Sequence, residues 1–399
     1  MNAHIEARSR HPRPLRIGLD ARPALVNREG IGRYTRELVR ALLAAEGDEE
    51  LRLFGATLAP ARAEDAELGL PHPRAKLRRW RVPSKLVARG LALTRLGVDD
   101  LLGGCDLFHH TQPNVLRVRR APQVLTIFDA LFVADAEGRT REGGPAPGWV
   151  EPETARRMTD TLRAAAARAD LVLTGCEWVA RDIVDALGVD PARVRVTYLG
   201  CDHLPILPRA EPSQRYLLTV ARVDPRKNHL GVLRAFEALV REGRDLRWVI
   251  AGPVGWRCEA VEAALAASPA RARIEWRRAV SERELCELYA GAALFMWPSY
   301  AEGYGLPPLE AMRAGVPVVA SDRTTLPEVL GEGALLVDPD DDAALLHAAR
   351  TLLDDDAARA ALIARGHTRA AALSWSRCAR ETLAAYRSCY RSERHSARR

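Results

Sequence analysis

Two acidic residues, Glu302 and Glu310, enclose the part of the chain whose residue types are best suited to chemistry. An ionised carboxylate is a pure hydrogen-bond acceptor, so it suits the hydroxyl groups of a sugar. Gly303 and Gly305 lie between the two acids and leave space for the backbone to approach a ligand closely. An isolated glutamate is more often an exposed surface charge, so neither acid would indicate a site without its neighbours.

The residues that follow Gly305 predict the start of a short helix. Pro307 and Pro308 suit the first helical positions, and the predicted helix continues over residues 309–314. The N-terminus of a helix carries partial positive charge and therefore favours an anion such as phosphate. The stretch thus predicts a nucleotide-sugar site in which Tyr304 and Leu306 belong to the donor-binding loop.

A second group of charged residues follows the strand predicted at residues 216–220. Arg222 offers a forked hydrogen-bond donor, and Lys227 offers a compact point charge. Ligands of open α/β sheets bind beyond the carboxyl ends of the strands, so these cations are predicted to meet a diphosphate. They could neutralise a leaving group that gains charge as a glycosidic bond breaks. A solvated basic turn is the alternative interpretation.

The block from Trp297 to Ser321, which contains both glutamates, resembles the Glu-x7-Glu signature of the retaining glycosyltransferases of family 4. These enzymes have the GT-B fold. The resemblance implies that Glu310 bonds the nucleotide ribose and that Glu302 lies beside the donor sugar. It also implies that the cations of the second group contact the donor diphosphate, so that neither a catalytic metal nor another cofactor is needed.

Length and composition limit the alternatives. A chain of 399 residues exceeds the usual size of one hydrophobic core, so two domains are expected. The formal charge of +7 fits a phosphate-bearing substrate or an anionic membrane surface but is too small to indicate nucleic acid. The seven cysteines contain no C-x-x-C pair, so the sequence indicates neither a disulfide framework nor a zinc site. Residues 1–11 lack the apolar core of a signal peptide, so a cytoplasmic protein is expected.

Strand-like and helix-like segments alternate along the chain, which predicts parallel sheets with crossover helices. Predicted strands lie at residues 15–20, 106–109, 124–127, 171–174, 194–198, 216–220, 248–251, 273–276, 294–297, 316–319 and 334–337. We expect two Rossmann-like α/β domains, residues 1–203 and 215–374, joined by a proline-rich linker at 204–214. The resemblance implies that the domains face each other across a cleft and that residues 375–399 form a helix and basic tail packing on the N-terminal domain.

A glycine pair in the N-terminal half, Gly30 and Gly32, precedes a predicted amphipathic helix. The pair is only part of a dinucleotide fingerprint and is weak evidence alone. Together with Asp20 and Arg22 it resembles the opening of bacterial family 4 mannosyltransferases. The resemblance implies that the glycines border the donor phosphates and that Asp20 lies on the acceptor side.

Two positions depart from the pattern of the resembled family. Phe128 stands before Asp129 where the family usually has a histidine near the transferred sugar. A phenyl ring cannot donate to a hydroxyl, so either another donor compensates or the pocket accepts a different sugar or a different orientation of the sugar. His109 and His110 are candidates, and a half-buried pair at a strand end is the alternative interpretation. Asp129 is retained and is counted as catalytic, whereas Cys176 replaces the usual serine.

An aspartate-rich stretch at residues 338–342 has the composition of a metal-binding Asp-x-Asp motif. It lies between a predicted strand and a helix predicted at 343–353, where aspartate is favoured as a cap. Helix capping is therefore the preferred interpretation. The triplet at 354–356 is likewise predicted to be a helix boundary.

Residues 74–95 carry eight cations interleaved with apolar residues. A basic amphipathic stretch of this kind can rest on anionic lipid, which would bring the enzyme to the inner face of the cytoplasmic membrane and to a lipid-linked acceptor. A solvated helix face is the alternative interpretation.

The sequence therefore predicts transfer of a hexose from a nucleoside diphosphate sugar to an acceptor hydroxyl with retention of anomeric configuration. Mannose from GDP-mannose is the preferred donor, and UDP-glucose or UDP-N-acetylglucosamine is the alternative. The acceptor could be a sugar, a lipid-linked molecule or another small molecule. A sugar-nucleotide epimerase of the same architecture and a non-catalytic sugar-binding protein are the competing classes.

Overall fold

The structure is a computed structural model that describes residues 13–27, 30–58, 62–138, 148–210 and 214–396. Its strands, in chain order, are β1 Arg16–Asp20, β2 Glu50–Ala56, β3 Ala75–Trp80, β4 Leu107–His110, β5 Gln123–Thr126, β6 Leu171–Thr174, β7 Val194–Val196, β8 Arg215–Val220, β9 Leu246–Ala251, β10 Ile274–Arg277, β11 Leu294–Trp297, β12 Val318–Ser321 and β13 Leu335–Val337.

Helices alternate with these strands. In chain order they are α1 Arg22–Val26, α2 Ile31–Ala44, α3 Arg62–Glu67, α4 Ser84–Leu93, α5 Val98–Leu101, α6 Phe132–Glu137, α7 Pro152–Arg168, α8 Glu177–Leu187, α9 His229–Arg241, α10 Glu259–Ala267, α11 Glu282–Gly291, α12 Leu306–Arg313, α13 Leu326–Leu330, α14 Asp342–Asp354, α15 Asp356–Ala371 and α16 Trp375–Ser396. This alternation is the expected consequence of parallel strand pairing, which needs a crossover between successive strands.

The strands form two parallel sheets. The seven-stranded sheet has the order β3-β2-β1-β4-β5-β6-β7, and the six-stranded sheet has the order β10-β9-β8-β11-β12-β13. In each sheet the strand order reverses once, between β1 and β4 in the first and between β8 and β11 in the second. Both are therefore doubly wound sheets, and such sheets bind ligands at the carboxyl edge where the order reverses. The prediction of two Rossmann-like sheets is confirmed.

The chain forms two compact units, residues 1–125 with 386–399 and residues 126–385. In the first unit, a cluster of buried side chains that includes Phe54, Leu91 and Phe108 lies between strands and helices. In the second, a larger cluster contains the fully buried Trp248 and Phe236. The domain boundaries given by the sequence remain predictions, and residues 211–213 of the predicted linker, like residues 1–12, lie outside the described part of the chain.

The basic stretch at 74–95 is not one helix. It begins as the strand β3, in which Lys76 and Arg78 are exposed and Leu77 is half-buried between them. This period of two is a strand pattern, and Pro83 ends the extended segment before α4 begins. The strands β2 and β3 were not predicted. In β3 the cations Lys76, Arg78 and Arg79 hid the alternation, whereas β2 has one cation and its alternating Leu51 and Leu53 were overlooked.

Candidate active site

The candidate site lies at the carboxyl edge of the second sheet, where β8 and β11 are neighbours. The segment after β8 makes a single 3-10 turn at Pro225–Lys227 and ends at Asn228. Asn228 has a left-handed backbone, with φ +51°, and its side-chain oxygen accepts a 3.0 Å hydrogen bond from the Gly231 N–H at the start of α9. This turn fixes Lys227 beside the loop that follows β11.

Lys227 and Glu302 form a buried ion pair. The distance from Lys227 Nζ to Glu302 Oε1 is 2.6 Å, and the same Nζ lies 4.7 Å from the centre of the Trp297 ring. Burial raises the pKa of Glu302, but the nearby charges of Lys227 and Arg226 outweigh this effect, so the pKa lies below its usual value. Burial and the charge of Arg226 lower the pKa of Lys227. The carboxylate is thus charged at neutral pH and is held by a cation.

The loop after β12 fixes the backbone of Glu302. The Glu302 N–H donates to Thr324 Oγ1 at 3.0 Å, and Thr325 Oγ1 donates to the Glu302 carbonyl at 3.3 Å. Thr324 has φ +52°, which β-branched residues rarely adopt, so these bonds hold a strained loop in place. Three adjacent strands, β8, β11 and β12, therefore supply the residues around this carboxylate.

Arg226 is a site residue that sequence reasoning did not select. Its Nη1 lies 3.5 Å from Glu302 Oε2 and donates to the Ala301 carbonyl at 2.9 Å. Arg222, which was selected, is exposed and has no hydrogen bond or ion pair to the described residues. Both arginines belong to one basic turn, and only the three-dimensional path of the turn distinguishes them. Arg222 is consequently free to meet a ligand, whereas Arg226 holds the carboxylate.

Gly303 allows the loop to approach Asp129. A Cβ at position 303 would lie 2.7 Å from the Phe128 carbonyl oxygen and 3.0 Å from Asp129 Oδ2, so a larger residue would collide there. Burial raises the pKa of Asp129, although the charge of Arg226 opposes the shift. The structure thus brings the two predicted acidic residues, Asp129 and Glu302, into one cluster of charges.

Glu310 is held from two sides. His203 Nε2 lies 3.0 Å from Glu310 Oε1, and the Tyr289 hydroxyl donates to Oε2 at 2.8 Å. The indole N–H of Trp375 donates to His203 Nδ1 at 3.3 Å, so the proton of a neutral His203 lies on Nε2 and faces the carboxylate. Sequence reasoning missed His203, because a single histidine in a proline-rich segment carries no periodic signal.

The other residues of the predicted donor-binding loop have mainly structural contacts. The Tyr304 side chain is buried, and its hydroxyl donates to the Leu199 carbonyl at 2.9 Å. Gly305 has φ +99°, which requires glycine at the start of α12. Pro307 and Pro308 have no N–H, so Leu306 is the one residue among the first three of α12 that can donate to an anion.

The N-terminal candidates fall into two groups. Asp20 is fully buried and forms two hydrogen bonds with the Arg22 guanidinium, at 2.8 and 2.7 Å, which favours a structural role. A Cβ on Gly32 would lie 1.7 Å from the Asn27 carbonyl oxygen, so this glycine is required for packing within the protein. A Cβ on Gly30 would meet no described atom within 4 Å, so its surroundings leave room for a ligand.

The two histidines at the end of β4 are buried and bonded. His109 Nδ1 lies 2.6 Å from the Tyr386 hydroxyl, and His110 Nε2 lies 3.2 Å from Gln123 Oε1. Burial lowers the pKa of His109 to about 3 and that of His110 to about 4. These contacts favour the structural interpretation of the pair over a role as donors to a sugar.

The aspartate-rich stretch caps a helix. Asp341 Oδ1 accepts a 2.9 Å hydrogen bond from the Ala344 N–H at the start of α14, and Asp338 pairs with Arg323 at 2.6 Å. Asp355 caps α15 in the same way through the Ala358 N–H, at 2.9 Å. The capping predictions are confirmed. Within the described ranges no group of three or more histidine, cysteine, aspartate or glutamate side chains could hold a metal ion.

Comparison with known proteins places both halves of the chain in one enzyme class. Residues 28–203 match the family model "Glycosyltransferase Family 4", and residues 208–369 match "Glycosyl transferases group 1". The chain is 31% identical over 377 residues to O-antigen chain mannosyltransferase B of Escherichia coli, with 90% of this chain and 96% of that protein covered. The chain belongs to glycosyltransferase family 4.

Solved structures place this glycosyltransferase in the GT-B fold. Sucrose-phosphate synthase from Thermosynechococcus elongatus superimposes with a TM-score of 0.70 at 20% identity, covering 95% of this chain and 100% of that one. Anabaena HepE in complex with UDP and glucose gives a TM-score of 0.70 at 16% identity, covering 94% and 100%. These structures confirm the fold expected from the sequence, and the family models together with the Escherichia coli relative confirm the enzyme class. Within the described residues of this family 4 chain, no helix is long and apolar enough to cross a bilayer.

Proposed function

We propose that this glycosyltransferase transfers mannose from GDP-mannose to a hydroxyl of a sugar acceptor, with retention of anomeric configuration, in the bacterial cytoplasm. The similarity to an O-antigen chain mannosyltransferase over nearly the whole chain supports the sugar and the acceptor class. The observation that carries the proposal is the buried pair of Lys227 and Glu302 at the carboxyl edge of the second sheet.

The donor diphosphate lies against the turn after β8 in this proposal. Lys227 has three N–H donors, and one of them donates to Glu302. The ammonium can therefore donate to a phosphate oxygen while it keeps its bond to the carboxylate. Arg222 is exposed and adds a second cation. Arg226 stays with Glu302 and keeps that carboxylate ionised. These side chains supply the positive charge that a diphosphate leaving group needs, and the proposed reaction uses no metal.

The two glutamates hold opposite ends of the donor. Glu302 accepts hydrogen bonds from hydroxyls of the transferred sugar, and Glu310 accepts them from the ribose. His203 Nε2 lies beside one oxygen of Glu310, and the Tyr289 hydroxyl donates to the other. The carboxylate is therefore oriented before the donor binds.

Asp129 takes over the task of the histidine that the family has at position 128. Its pKa is raised by burial, which favours the protonated form. A protonated carboxyl has one O–H donor, which the phenyl ring of Phe128 lacks. In its protonated form Asp129 can donate to a hydroxyl of the transferred sugar, and Gly303 allows the close approach of the two loops.

The reaction step exchanges one bond to the anomeric carbon for another. The bond between this carbon and the diphosphate oxygen breaks, and the acceptor oxygen bonds to the same face of the ring. The acceptor proton passes to the leaving diphosphate. Catalysis then consists of positioning and of stabilising the charge that develops on the diphosphate.

A donor screen with product analysis tests the proposal. GDP-mannose should raise the melting temperature more than UDP-glucose or UDP-N-acetylglucosamine, because binding to the folded state stabilises it. With a mannose-terminated acceptor, NMR should find the product in the anomeric configuration of the donor, and a chelator should leave turnover unchanged.

Other outcomes of the screen would overturn separate parts of the proposal. A preference for a UDP-sugar would reject the donor, and inversion at the anomeric carbon would reject the mechanism. Conversion of the sugar nucleotide without acceptor would indicate an epimerase. Equal background turnover of the wild type and Glu302→Gln would indicate a non-catalytic sugar-binding protein.

A further inference from the structure

The helix α4 has an outer face that no described residue covers. Its inner face is anchored, since Leu91 is 3% exposed and packs in the core of the first unit together with Val87. On the opposite side, Leu86 is 54% and Leu93 is 88% exposed. These two leucines are seven residues apart, which is two helical turns, so they point the same way.

Cations surround the exposed leucines. Arg89 lies between Leu86 and Leu93 on the same side of the helix, because residues three and four apart are neighbours. Lys85 precedes it by one turn. The flanking segments add exposed residues of the same two kinds, which are Arg81, Val82, Arg95 and Leu96.

The cations of this face have no partner in the described part of the chain. Arg81, Lys85, Arg89 and Arg95 form no hydrogen bond or ion pair with the described residues. By contrast, Arg74 donates to the Gly47 carbonyl and Arg78 donates to the Leu101 carbonyl, so these two cations at the start of the basic stretch have hydrogen-bond partners within the protein. The sequence from Leu68 to Val98 contains no aspartate or glutamate that could neutralise the face.

Hydrogen bonds at both ends hold the helix in this orientation. Ser84 Oγ at its start donates to the Ala56 carbonyl at 3.2 Å. Arg117 Nη1 donates to the Thr94 carbonyl at its end, at 2.7 Å. Four of the ten strongly exposed large apolar side chains in the described part of the chain lie between residues 82 and 96. An exposed concentration of this kind on an anchored helix indicates a binding surface.

We propose that the outer face of α4 docks this protein on an anionic phospholipid bilayer, with Leu86 and Leu93 in the acyl region and the four cations at the headgroups. Aliphatic side chains combined with cations are typical of helices that lie in a membrane interface. The stretch from Leu68 to Val98 carries cations and no acidic residue, so the face is complementary in charge to anionic headgroups. The inference is independent of the donor sugar and goes beyond the proposed reaction.

Vesicle sedimentation tests the docking. The wild type should sediment with vesicles of phosphatidylglycerol and phosphatidylcholine and stay in solution with phosphatidylcholine alone. Leu86→Ser with Leu93→Ser should weaken partitioning roughly tenfold or more, because two apolar side chains no longer insert. Lys85→Gln with Arg89→Gln should weaken it about fivefold per charge. The matched control is Arg157→Gln with Met158→Ser, an exposed cation and an exposed apolar residue on α7.

A spectroscopic readout shows whether the helix itself enters the bilayer. The native cysteines are buried, apart from the half-buried Cys105, so a cysteine introduced at an exposed position is labelled selectively. An environment-sensitive dye on Leu93→Cys should shift to the blue on anionic vesicles, and the same dye on Met158→Cys should not.

Two results would overturn the inference. If the wild type does not bind anionic vesicles, the face is not a lipid surface, and an acidic protein partner becomes the alternative. If the leucine variants bind as well as the wild type, while circular dichroism shows that they are folded, α4 is not the docking element. Glycosyl transfer to a soluble acceptor should be unchanged in these variants, which separates this test from that of the proposed function.

Discussion

Lys227 is the cation on which the proposed donor site depends. The chain has three lysines among its 59 cationic residues, and Lys227 is the buried one, whereas Lys76 and Lys85 are exposed. A compact ammonium can fit between the Glu302 carboxylate and the Trp297 ring, where the planar fork of arginine has a different shape. Position 227 is thus one where the two basic residues should not be interchangeable.

We predict that Lys227→Met lowers kcat by about a hundredfold or more, since it removes a donor to the leaving diphosphate. Lys227→Arg keeps the charge but should recover little activity, because its geometry differs. Steady-state kinetics with the identified donor check both values. Lys76→Met is the matched control and should behave as the wild type. Full activity of Lys227→Met would exclude a role for this lysine in the reaction.

His203 is predicted to act by positioning Glu310. His203→Phe keeps a ring but removes the N–H that faces Glu310 Oε1, so the KM for the donor should rise roughly tenfold while kcat changes less. Tyr289→Phe removes the bond to Oε2 and should shift KM in the same direction. His347→Phe, on an exposed face of α14, is the control. If His203→Phe, Tyr289→Phe and His347→Phe all lowered kcat and raised KM to the same extent, the substitutions would be damaging the protein in general rather than the contacts of Glu310.

Among the elements, α8 has an unusual N-terminus. Its N-cap residue is Cys176, which makes no side-chain cap, where the family usually has serine. Glu328 on α13 supplies the missing acceptors from far along the chain. Its carboxylate accepts from the N–H groups of Glu177 and Trp178, at 2.7 and 2.8 Å, and from the Tyr198 hydroxyl at 2.8 Å. A long-range contact thus replaces a local cap and ties two helices together.

We predict that Glu328→Ala lowers the free energy of unfolding by about 1 to 2 kcal/mol, because two helical N–H groups and a hydroxyl lose their acceptor. Adding Cys176→Ser should restore part of this loss by rebuilding a local cap. The midpoint of urea unfolding measures both effects. Glu332→Ala, an exposed glutamate close to α13, should leave the midpoint unchanged. If Cys176→Ser does not raise the stability of Glu328→Ala, Glu328 does not stabilise the protein by capping α8.

At the scale of the whole molecule, acid should unfold the protein through buried histidines. Burial lowers the pKa of His109 and His229 to about 3 and that of His110 to about 4, and each stays neutral in the folded state at pH 5. In the unfolded chain their pKa returns to about 6.5, so unfolding takes up protons below that pH. Stability from this source is therefore complete above pH 6.5 and is lost as the pH falls towards the folded values.

We predict that the free energy of unfolding decreases between about pH 6.5 and pH 4, by about 1.4 kcal/mol per pH unit for each histidine that must stay neutral. Denaturant unfolding at a series of pH values measures the slope. His229→Gln should reduce the slope of the free energy of unfolding against pH by the contribution of one histidine. His347→Gln, at an exposed position, should leave this slope unchanged. A stability that stays constant over this range would contradict the assignment of buried neutral imidazoles.

The sequence by itself determined the alternation of strands and helices, and with it the two doubly wound sheets. Hydrophobic periodicity reports which residues are buried, and Gly305 and the helix caps report where elements begin. It also placed Lys227 and Glu302 just after two strands, which is where such sheets bind ligands. The charged strand β3 was missed, since it carries cations at positions where alternation would otherwise be visible.

Only the tertiary structure decided which side chains meet. The sheet order makes β8 and β11 neighbours although more than seventy residues separate them, and this order brings Arg226 rather than Arg222 to Glu302. The same holds for His203 beside Glu310, and for the exposed face of α4, which depends on where the inner face is anchored. Local sequence fixes backbone preferences, but distances between loops are set by long-range strand pairing and packing, which no local pattern encodes.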